Sequence, residues 1–406
     1  MHKLKLYFFF LCTFLPLFFL SQNISADQSK EPISVYLTWE GDPTTTMTVR
    51  WITSNTETRS GLQYRQGGYP DWESVESSFI PMPDDHPYHI HRAEIIGLNP
   101  DSDYFFRLDE DGTNYKFRTM PERLDQPIRF VEGGDMLHDD PKYLADTNRR
   151  SAMEDPHFAV LGGDIAYSAP RLSLYSENFK NWLVWLKTWK ETMVTPKGFL
   201  IPMLITIGNH EVIGRYGQPP EKAKFFYALF RNPKAESFQV IDFSNYLSIF
   251  LLDSDHTSAI DLEQKSWLEE NLEPRRNTTH KFAVYHVPAF PSVRKYKGKV
   301  STQVREHWVP LFEEYGINAA FEHHDHVYKR TKPIYQGKVD PEKGILYLGD
   351  GAWGIKKPRT PKKPKSTWYL EKTQGSRHFI LVTLYGSHRF FMAIDGEGVI
   401  FDYAKN

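Results

Sequence analysis

The sequence predicts a small all-β sandwich followed by a larger α/β domain, and three observations lead to this prediction. Between residues 33 and 119, short runs alternate apolar and polar residues between turn signals, which is typical of a β-sandwich. Beyond a polar linker at 121–127, apolar runs alternate with helical stretches, as in α/β proteins. Five of these later runs end abruptly in polar residues, which indicates a functional site.

The composition allows two domains and excludes one class of function. The chain has 406 residues, of which 40% are hydrophobic and 25% are charged, and this is enough for a large core. The formal net charge of -2 argues against a nucleic-acid-binding protein that relies on a basic face.

Residues 1–26 have the pattern of a signal peptide. Lys3 and Lys5 precede an apolar run, and small residues suit cleavage before Asp27. The run is shorter than the ~20 residues of a membrane span, although an uncleaved anchor is the alternative. We therefore expect a secreted or periplasmic protein without a membrane span after cleavage. Because the only cysteine, Cys12, lies in this leader, any homodimer would not be disulfide-linked, and metal ligands must be His, Asp, Asn or Tyr.

The all-β domain is predicted at residues 32–120, with a structural role. Its alternating runs include Val35–Trp39 and Met47–Trp51. The stretch GLNPDSDYFFRL at 97–108 resembles the corner and strand of fibronectin type III modules, with Tyr104 as the corner tyrosine.

The α/β domain is predicted at residues 127–406. Apolar residues at helical spacing predict helices over Tyr175–Met193, Ala259–Leu272 and Thr302–Tyr315. The segment KKPRTPKKPK at 356–365 is too basic and too rich in proline to pack, so we expect an exposed loop. This loop either steers an anionic substrate or is only a solvated surface.

The five apolar runs with polar ends are typical of buried strands. Ligands bind beyond the carboxyl ends of the strands in open α/β sheets, so we expect these ends to form one rim. The runs are IRFVEGGD (128–135), HFAVLGGDIAY (157–167), MLITIGNHE (203–211), KFAVYH (281–286) and NAAFEHHDH (318–326). The polar residues expected at this rim are Asp135, Asp164, Tyr167, Asn209, His210, His286, His324 and His326.

This set of side chains points to a pair of metal ions. Carboxylate, amide and phenol oxygens mixed with imidazoles suit iron, zinc or manganese. Seven ligands are too many for one tetrahedral zinc, and one aspartate can bridge two ions. The phenol of Tyr167 binds a divalent ion poorly at acid pH and favours trivalent iron. Taken singly, Asp135 can be a turn residue, Asn209 a helix cap and His286 a packed imidazole, but recurrence at five strand ends favours a site.

The motif order GD, GDxxY, GNHE, strand-end His and HxH resembles the purple acid phosphatase branch of the calcineurin-like metallophosphoesterases, and residues 35–51 resemble that family's N-terminal sandwich. The resemblance implies a four-layer α/β catalytic domain, in which a β-sandwich is flanked by helices. It implies that Asp135, Asp164, Tyr167 and His326 hold trivalent iron, with Asp164 as the bridge. It implies that Asn209, His286 and His324 hold a divalent iron, zinc or manganese.

The same resemblance implies roles for three residues that are not ligands. His210 would face the substrate and either bind phosphate or protonate the leaving oxygen. Glu211 and Arg330 would support the ligands, the first as a hydrogen-bond partner and the second as an ion-pair former.

The chain departs from the family pattern at three points. Met136 and Leu137 follow Asp135 where GDxG is usual, and His323 stands where the last motif usually has glycine. After His286, the substrate-facing histidines of plant-type members are replaced by FPSVRKY at 290–296.

His323 has two interpretations. Residues two apart on an extended segment point the same way, so His324 and His326 are expected to face the metals while His323 points elsewhere. His323 is then either a packed histidine or a substrate-binding residue that compensates for the missing histidines.

The resemblance implies a dimetal hydrolase of phosphate monoesters, acting on a phosphorylated small molecule or polymer, and the predicted leader adds that it is exported. A phosphodiesterase or pyrophosphatase on the same site is the alternative within this class. A non-catalytic metal-binding or adhesive protein is the rival from another class, and the retention of all seven predicted ligands favours the enzyme.

Overall fold

The computed structural model describes residues 31–56, 61–169, 176–230, 234, 236–349, 351–361 and 364–406, and Glu31–Asn406 forms one compact unit. The predicted signal peptide at 1–26 lies outside the described residues, as does part of the basic segment 356–365. Among the residues described, no helix is long and apolar enough to cross a bilayer.

The N-terminal region is a sandwich of two antiparallel four-stranded sheets with strand orders β1-β2-β6-β5 and β4-β3-β7-β8, which confirms the predicted all-β fold. Its strands are β1 (Ser34–Thr38), β2 (Met47–Ser54), β3 (Leu62–Gln66), β4 (Glu73–Val75), β5 (Ser78–Pro81), β6 (Tyr88–Ile95), β7 (Asp103–Arg107) and β8 (Tyr115–Arg118). The backbone N–H of Asn99 donates a 2.8 Å hydrogen bond to the hydroxyl of Tyr104. This contact is the corner geometry expected for Tyr104.

The remaining strands form two larger sheets and a two-stranded ribbon. They are β9 (Ile128–Gly133), β10 (Phe158–Leu161), β11 (Met203–Ile205), β12 (Gln239–Phe243), β13 (Leu247–Leu251), β14 (His280–Val284), β15 (Ala319–Glu322), β16 (Tyr328–Thr331), β17 (Ile334–Tyr335), β18 (Lys338–Val339), β19 (Leu346–Gly349), β20 (Leu370–Gln374), β21 (His378–Tyr385), β22 (His388–Asp395) and β23 (Ile400–Lys405). The sheet orders are β11-β10-β9-β21-β22-β23 and β12-β13-β14-β15-β19-β16-β20.

The α-helices include the three that the sequence predicts, with different bounds. They are α1 (Pro141–Ala152), α2 (Phe179–Thr192), α3 (Lys224–Phe230), α4 (Glu263–Leu272), α5 (Lys299–His307) and α6 (Val309–Tyr315). Short 3-10 turns lie at Pro220–Ala223, Glu273–Arg275 and Pro364–Ser366. The stretch predicted as one helix at 302–315 is two helices, because Pro310 lacks the N–H that a continuous helix would require.

The two large sheets pack face to face, and helices cover their outer faces. Phe130 of the six-stranded sheet lies with its ring centroid 5.8 Å from that of Phe282 in the seven-stranded sheet. Helices α1 and α2 cover the six-stranded sheet, where Trp182 joins its apolar cluster. Helices α4, α5 and α6 cover the seven-stranded sheet through residues such as Trp308. The predicted four-layer arrangement is therefore confirmed, and the five strands with polar ends belong to two sheets.

Candidate metal centre

Three of the strands that precede the predicted ligands lie in one sheet and two in the other. Strands β9, β10 and β11 run parallel in the six-stranded sheet, and β14 and β15 run parallel in the seven-stranded sheet. Because these sheets pack face to face, the loops after all five strands can meet at one end of the sandwich. The loops are also joined directly, since the backbone N–H of His324 donates a 2.9 Å hydrogen bond to Asp135 Oδ2.

The first group of donor atoms comes from Asp135, Asp164 and His326, which are buried and offer ligand atoms within 4.8 Å of one another. Asp135 Oδ1 lies 2.9 Å from His326 Nε2. The phenol of Tyr167 donates a 3.0 Å hydrogen bond to Asp135 Oδ1 and lies 3.3 Å from His326 Nε2. The four residues predicted to hold the trivalent ion are therefore together.

The second group shares Asp164 with the first. Asp164, His286 and His324 also offer ligand atoms within 4.8 Å of one another, and all three are buried. His286 Nε2 lies 3.2 Å from Asp164 Oδ2 and 3.1 Å from His324 Nδ1. His286 Nδ1 donates to the carbonyl of Gly162 at 2.9 Å, so its Nε2 is the atom directed at the site.

Two buried groups lack the hydrogen bonds that burial normally requires. Asn209 is 1% exposed, and neither its amide oxygen nor its amide nitrogen forms a hydrogen bond within the described part of the chain. Asp164 Oδ2 likewise accepts no hydrogen bond there. Because a buried polar group without a partner is costly, these atoms and the surrounding imidazoles fit a pair of cations as their partners.

The electrostatics of the site favour anionic carboxylates. Burial raises the pKa of Asp164, but the neighbouring His286 and His210 hold it well below its ordinary value. Burial lowers the pKa of His286, but Asp164 raises it to about 9. Burial, followed by the charges of Asp135 and Asp164, raises the pKa of Tyr167 well above that of a free phenol. A phenolate at Tyr167 therefore requires a cation that offsets both carboxylates.

Five of the seven predicted ligands have a left-handed backbone, with φ of 56° at Asp135, 53° at Asp164, 51° at Tyr167, 75° at His324 and 57° at His326. The prediction that His324 and His326 lie on an extended segment is therefore wrong, because β15 ends at Glu322 and a turn follows. Non-glycine residues rarely adopt this conformation, and such strain clusters at functional sites.

The loops after β10 and β11 touch through glycine. Gly163 has φ of 88°, and a Cβ there would lie 2.8 Å from Gly208 Cα. A Cβ at Gly208 would overlap the backbone N of Asp164. Both positions therefore require glycine for the shared aspartate to approach Asn209.

Glu211 supports this loop contact, as the sequence predicts. Its buried carboxylate accepts hydrogen bonds of 2.8 Å from the N–H groups of both Asp164 and Ile165, and of 2.9 Å from that of Gly208. Burial, and then the charge of Asp164, raise the pKa of Glu211 to about 8.

Arg330 forms an ion pair, as predicted, but in another place. Its Nε and Nη2 lie 2.7 and 3.0 Å from the carboxylate of Asp402. This pair joins β16 to β23, so the predicted support of a metal ligand by Arg330 is corrected to support of the fold.

His323 is a packed residue, so the structure supports the first of its two interpretations and contradicts the contact with substrate phosphate. The side chain is 0% exposed, Nδ1 donates to the carbonyl of Tyr285 at 3.0 Å, and Nε2 is hydrogen-bonded to the buried carboxylate of Glu132. A Cβ at Gly134 would lie 2.7 Å from its ring, and one at Gly162 would overlap it. Both ring nitrogens are thus occupied, and the ring joins the two sheets beneath the site.

Replacing His323 with asparagine should lower the free energy of unfolding by about 2–4 kcal/mol, because it opens a cavity and leaves Glu132 without its partner. The melting temperature should fall, while the KM for a phosphate ester stays unchanged. His388→Asn, at an exposed position of β22, is the matched control. An unchanged melting temperature with a higher KM would restore the substrate-binding interpretation.

Sequence reasoning missed three residues at the edge of the site. The ring of His138 lies 5.0 Å from that of Tyr167 and 5.1 Å from that of His326. The hydroxyl of Tyr216 lies 3.4 Å from His324 Nε2, and the buried carboxylate of Asp325 fixes the backbone at 292–294. His138, three residues after a predicted ligand, was visible in the sequence, whereas Tyr216 carries no local signal.

Comparisons with known proteins identify relatives of this chain. Residues 32–119 match the family model of the purple acid phosphatase N-terminal domain. Purple acid phosphatase 21 of Arabidopsis thaliana is 27% identical over 67% of this chain, which spans 62% of that relative's length. Human acid phosphatase type 7 is 25% identical over 99% of this chain and 97% of its own length.

The fold is also that of a solved structure, the purple acid phosphatase isolated from yellow lupin seeds. The TM-score is 0.71 at 16% sequence identity, over 91% of this chain and 73% of the lupin chain. In sequence and in fold, this chain therefore resembles the purple acid phosphatase branch of the metallophosphoesterases, whose members are phosphoric ester hydrolases of the acid phosphatase type.

Proposed function

We propose that this chain is an exported dimetal hydrolase of phosphate monoesters. The observation that carries this proposal is the position of Asp164, which belongs to both groups of buried donor atoms. A single carboxylate between two sets of imidazoles is the arrangement needed to bridge two cations. Export is proposed from the leader at 1–26, and N-terminal sequencing of protein recovered outside the cytoplasm should begin at Asp27.

The proposed ligands divide into two sets that share Asp164. Asp135, Tyr167 and His326 would complete the set for trivalent iron, and Asn209, His286 and His324 the set for divalent iron, zinc or manganese. When bound, the two ions supply activation of water and neutralisation of the phosphate oxygens.

His210 is the residue that we propose for acid catalysis or phosphate binding. Its backbone N–H donates to Asp164 Oδ1 at 2.7 Å, and its ring stacks on that of Tyr167 with centroids 4.5 Å apart. Its Nδ1 donates to the carbonyl of Ala169 at 3.1 Å. The Nε2 atom is therefore the one that can carry a proton to an ester oxygen or donate to phosphate.

Metal analysis combined with a visible spectrum and a phosphate-release panel tests this proposal. Metal-loaded protein should contain two ions per chain, absorb in the visible through a bond between iron and the Tyr167 phenolate, and release phosphate from monoesters. Tyr167→Phe should lose the colour and keep the iron, whereas Tyr216→Phe, whose hydroxyl neighbours His324, should keep both. A colourless, fully active protein with only divalent ions would overturn the trivalent assignment.

A further inference from the structure

A cavity of about 300 Å³ adjoins the His324 side of the candidate metal centre. His324 and Tyr216 form the wall towards the metal ligands, and Val287 follows the ligand His286. The volume is at the lower end of the range for small-molecule sites. A substrate whose phosphate lies at the metal centre can therefore extend its alcohol part into this cavity.

Arg294 is the anchored cation of the cavity. Its Nη2 donates to the backbone carbonyl of His324 at 3.0 Å, and its Nε lies 3.3 Å from Asp325 Oδ1. The buried Asp325 also accepts hydrogen bonds from the backbone N–H groups of Ser292, Val293 and Arg294, at 2.8, 2.7 and 3.2 Å. A guanidinium has five N–H donors, so these two side-chain contacts leave others for a ligand.

The cavity has an excess of positive charge. Arg294, Lys295 and Lys299 line it against one carboxylate, Asp255, whose Oδ2 lies 3.6 Å from Lys299 Nζ. Helix α5 begins at this wall with Lys299, and its N-cap residue Gly298 supplies no side-chain cap. The positive end of the helix adds to the potential made by the side chains. Even with Asp325 beside Arg294 and Asp255 beside Lys299, the three cations outnumber the two carboxylates among the described residues here, so an anion gains attraction that a neutral alcohol does not.

We propose that this cavity selects phosphate monoesters whose alcohol part carries a second anionic group, and that Arg294 binds this second group. This inference rests on the proposed phosphatase activity. The reaction is unchanged: water attacks phosphorus, and the bond between phosphorus and the ester oxygen breaks. Because Arg294 contacts the backbone of His324, a proposed metal ligand, short three-carbon esters are suitable substrates for testing this role.

The test compares esters that differ only in this charge. 3-Phosphoglycerate carries a carboxylate where glycerol 3-phosphate carries a hydroxymethyl group, and glycerol 1,3-bisphosphate carries a second phosphate. The ratio of kcat/KM for 3-phosphoglycerate to that for glycerol 3-phosphate should be about ten or more in the wild type. If kcat/KM is higher for the bisphosphate than for 3-phosphoglycerate, phosphate is the preferred second anionic group. If kcat/KM is lower for the bisphosphate, carboxylate is the preferred group.

Three variants assign the effect to the cavity. Arg294→Gln should lower the ratio about tenfold. Asp255→Asn should raise this ratio of kcat/KM values several-fold, because it removes a negative charge from the cavity. Misfolding cannot produce such a gain. Asparagine also tolerates the φ of 67° at this position. Lys187→Gln, at a position 66% exposed on α2, should leave the ratio unchanged.

The outcomes separate this inference from the proposed function. Hydrolysis of both three-carbon esters with a ratio near one, or a ratio that Arg294→Gln and Asp255→Asn leave unaltered, would overturn the anion-binding role and leave the phosphatase intact. Absence of phosphate release from every ester in the metal-loaded protein would overturn the proposed function itself, and with it this inference.

Discussion

Replacing Asp164 with asparagine should release at least one metal ion per chain and abolish phosphate-ester hydrolysis almost completely. Asp164 is the shared member of both donor groups, is 1% exposed, and has one carboxylate oxygen without a hydrogen bond in the described structure. Asparagine keeps the shape of the side chain but removes the negative charge that the two cations would share. Elemental analysis and a phosphate-release assay measure the two losses.

A control separates metal loss from unfolding. Asp146→Asn changes a half-exposed aspartate of α1 and should alter neither metal content nor turnover. Circular dichroism should show that the Asp164 variant remains folded. Retention of both metals and of turnover in Asp164→Asn would show that Asp164 is an ordinary turn residue.

Replacing His210 with alanine should lower kcat by about 10²–10⁴ while both metals remain bound, the usual range for a positioned acid or base. His210 touches the proposed ligands through its backbone and ring, but it belongs to neither group of donor atoms, so we expect the variant to remove no ligand atom. The loss should be smaller for aryl phosphates, because good leaving groups need less protonation. His388→Ala, at an exposed position, is the control.

The pH dependence gives a second measurement on the same variant. Burial lowers the pKa of His210, although Asp164 partly opposes this, so the protonated form accumulates only under acid conditions. The activity that depends on protonated His210 should therefore rise as pH falls, and this component should be absent from His210→Ala. Loss of metal in the variant would make His210 a ligand and contradict its proposed role.

Local patterns in the sequence were sufficient for the order of the domains and for the positions of the predicted ligands. A buried strand leaves a continuous apolar run, and the polar residue that ends it is visible without any tertiary information. Asp135, Asp164 and His286 follow such runs, and each lies in the site that the structure assembles. The shared role of Asp164 came from the family resemblance, and the geometry now gives it a physical basis.

Contacts between residues far apart in the sequence decided the rest. His323 and Glu132 are 191 positions apart, so no local pattern could show that the imidazole packs between two sheets. Arg330 pairs with Asp402 rather than with a metal ligand, because the fold places these residues of β16 and β23 next to each other. The left-handed turn at His324 and His326 depends on the loops that surround it, since backbone strain persists only where the surrounding structure enforces it. The sequence by itself thus determined which residues lie at strand ends, whereas tertiary packing decided which of them lie in the candidate metal centre and which hold the sheets together.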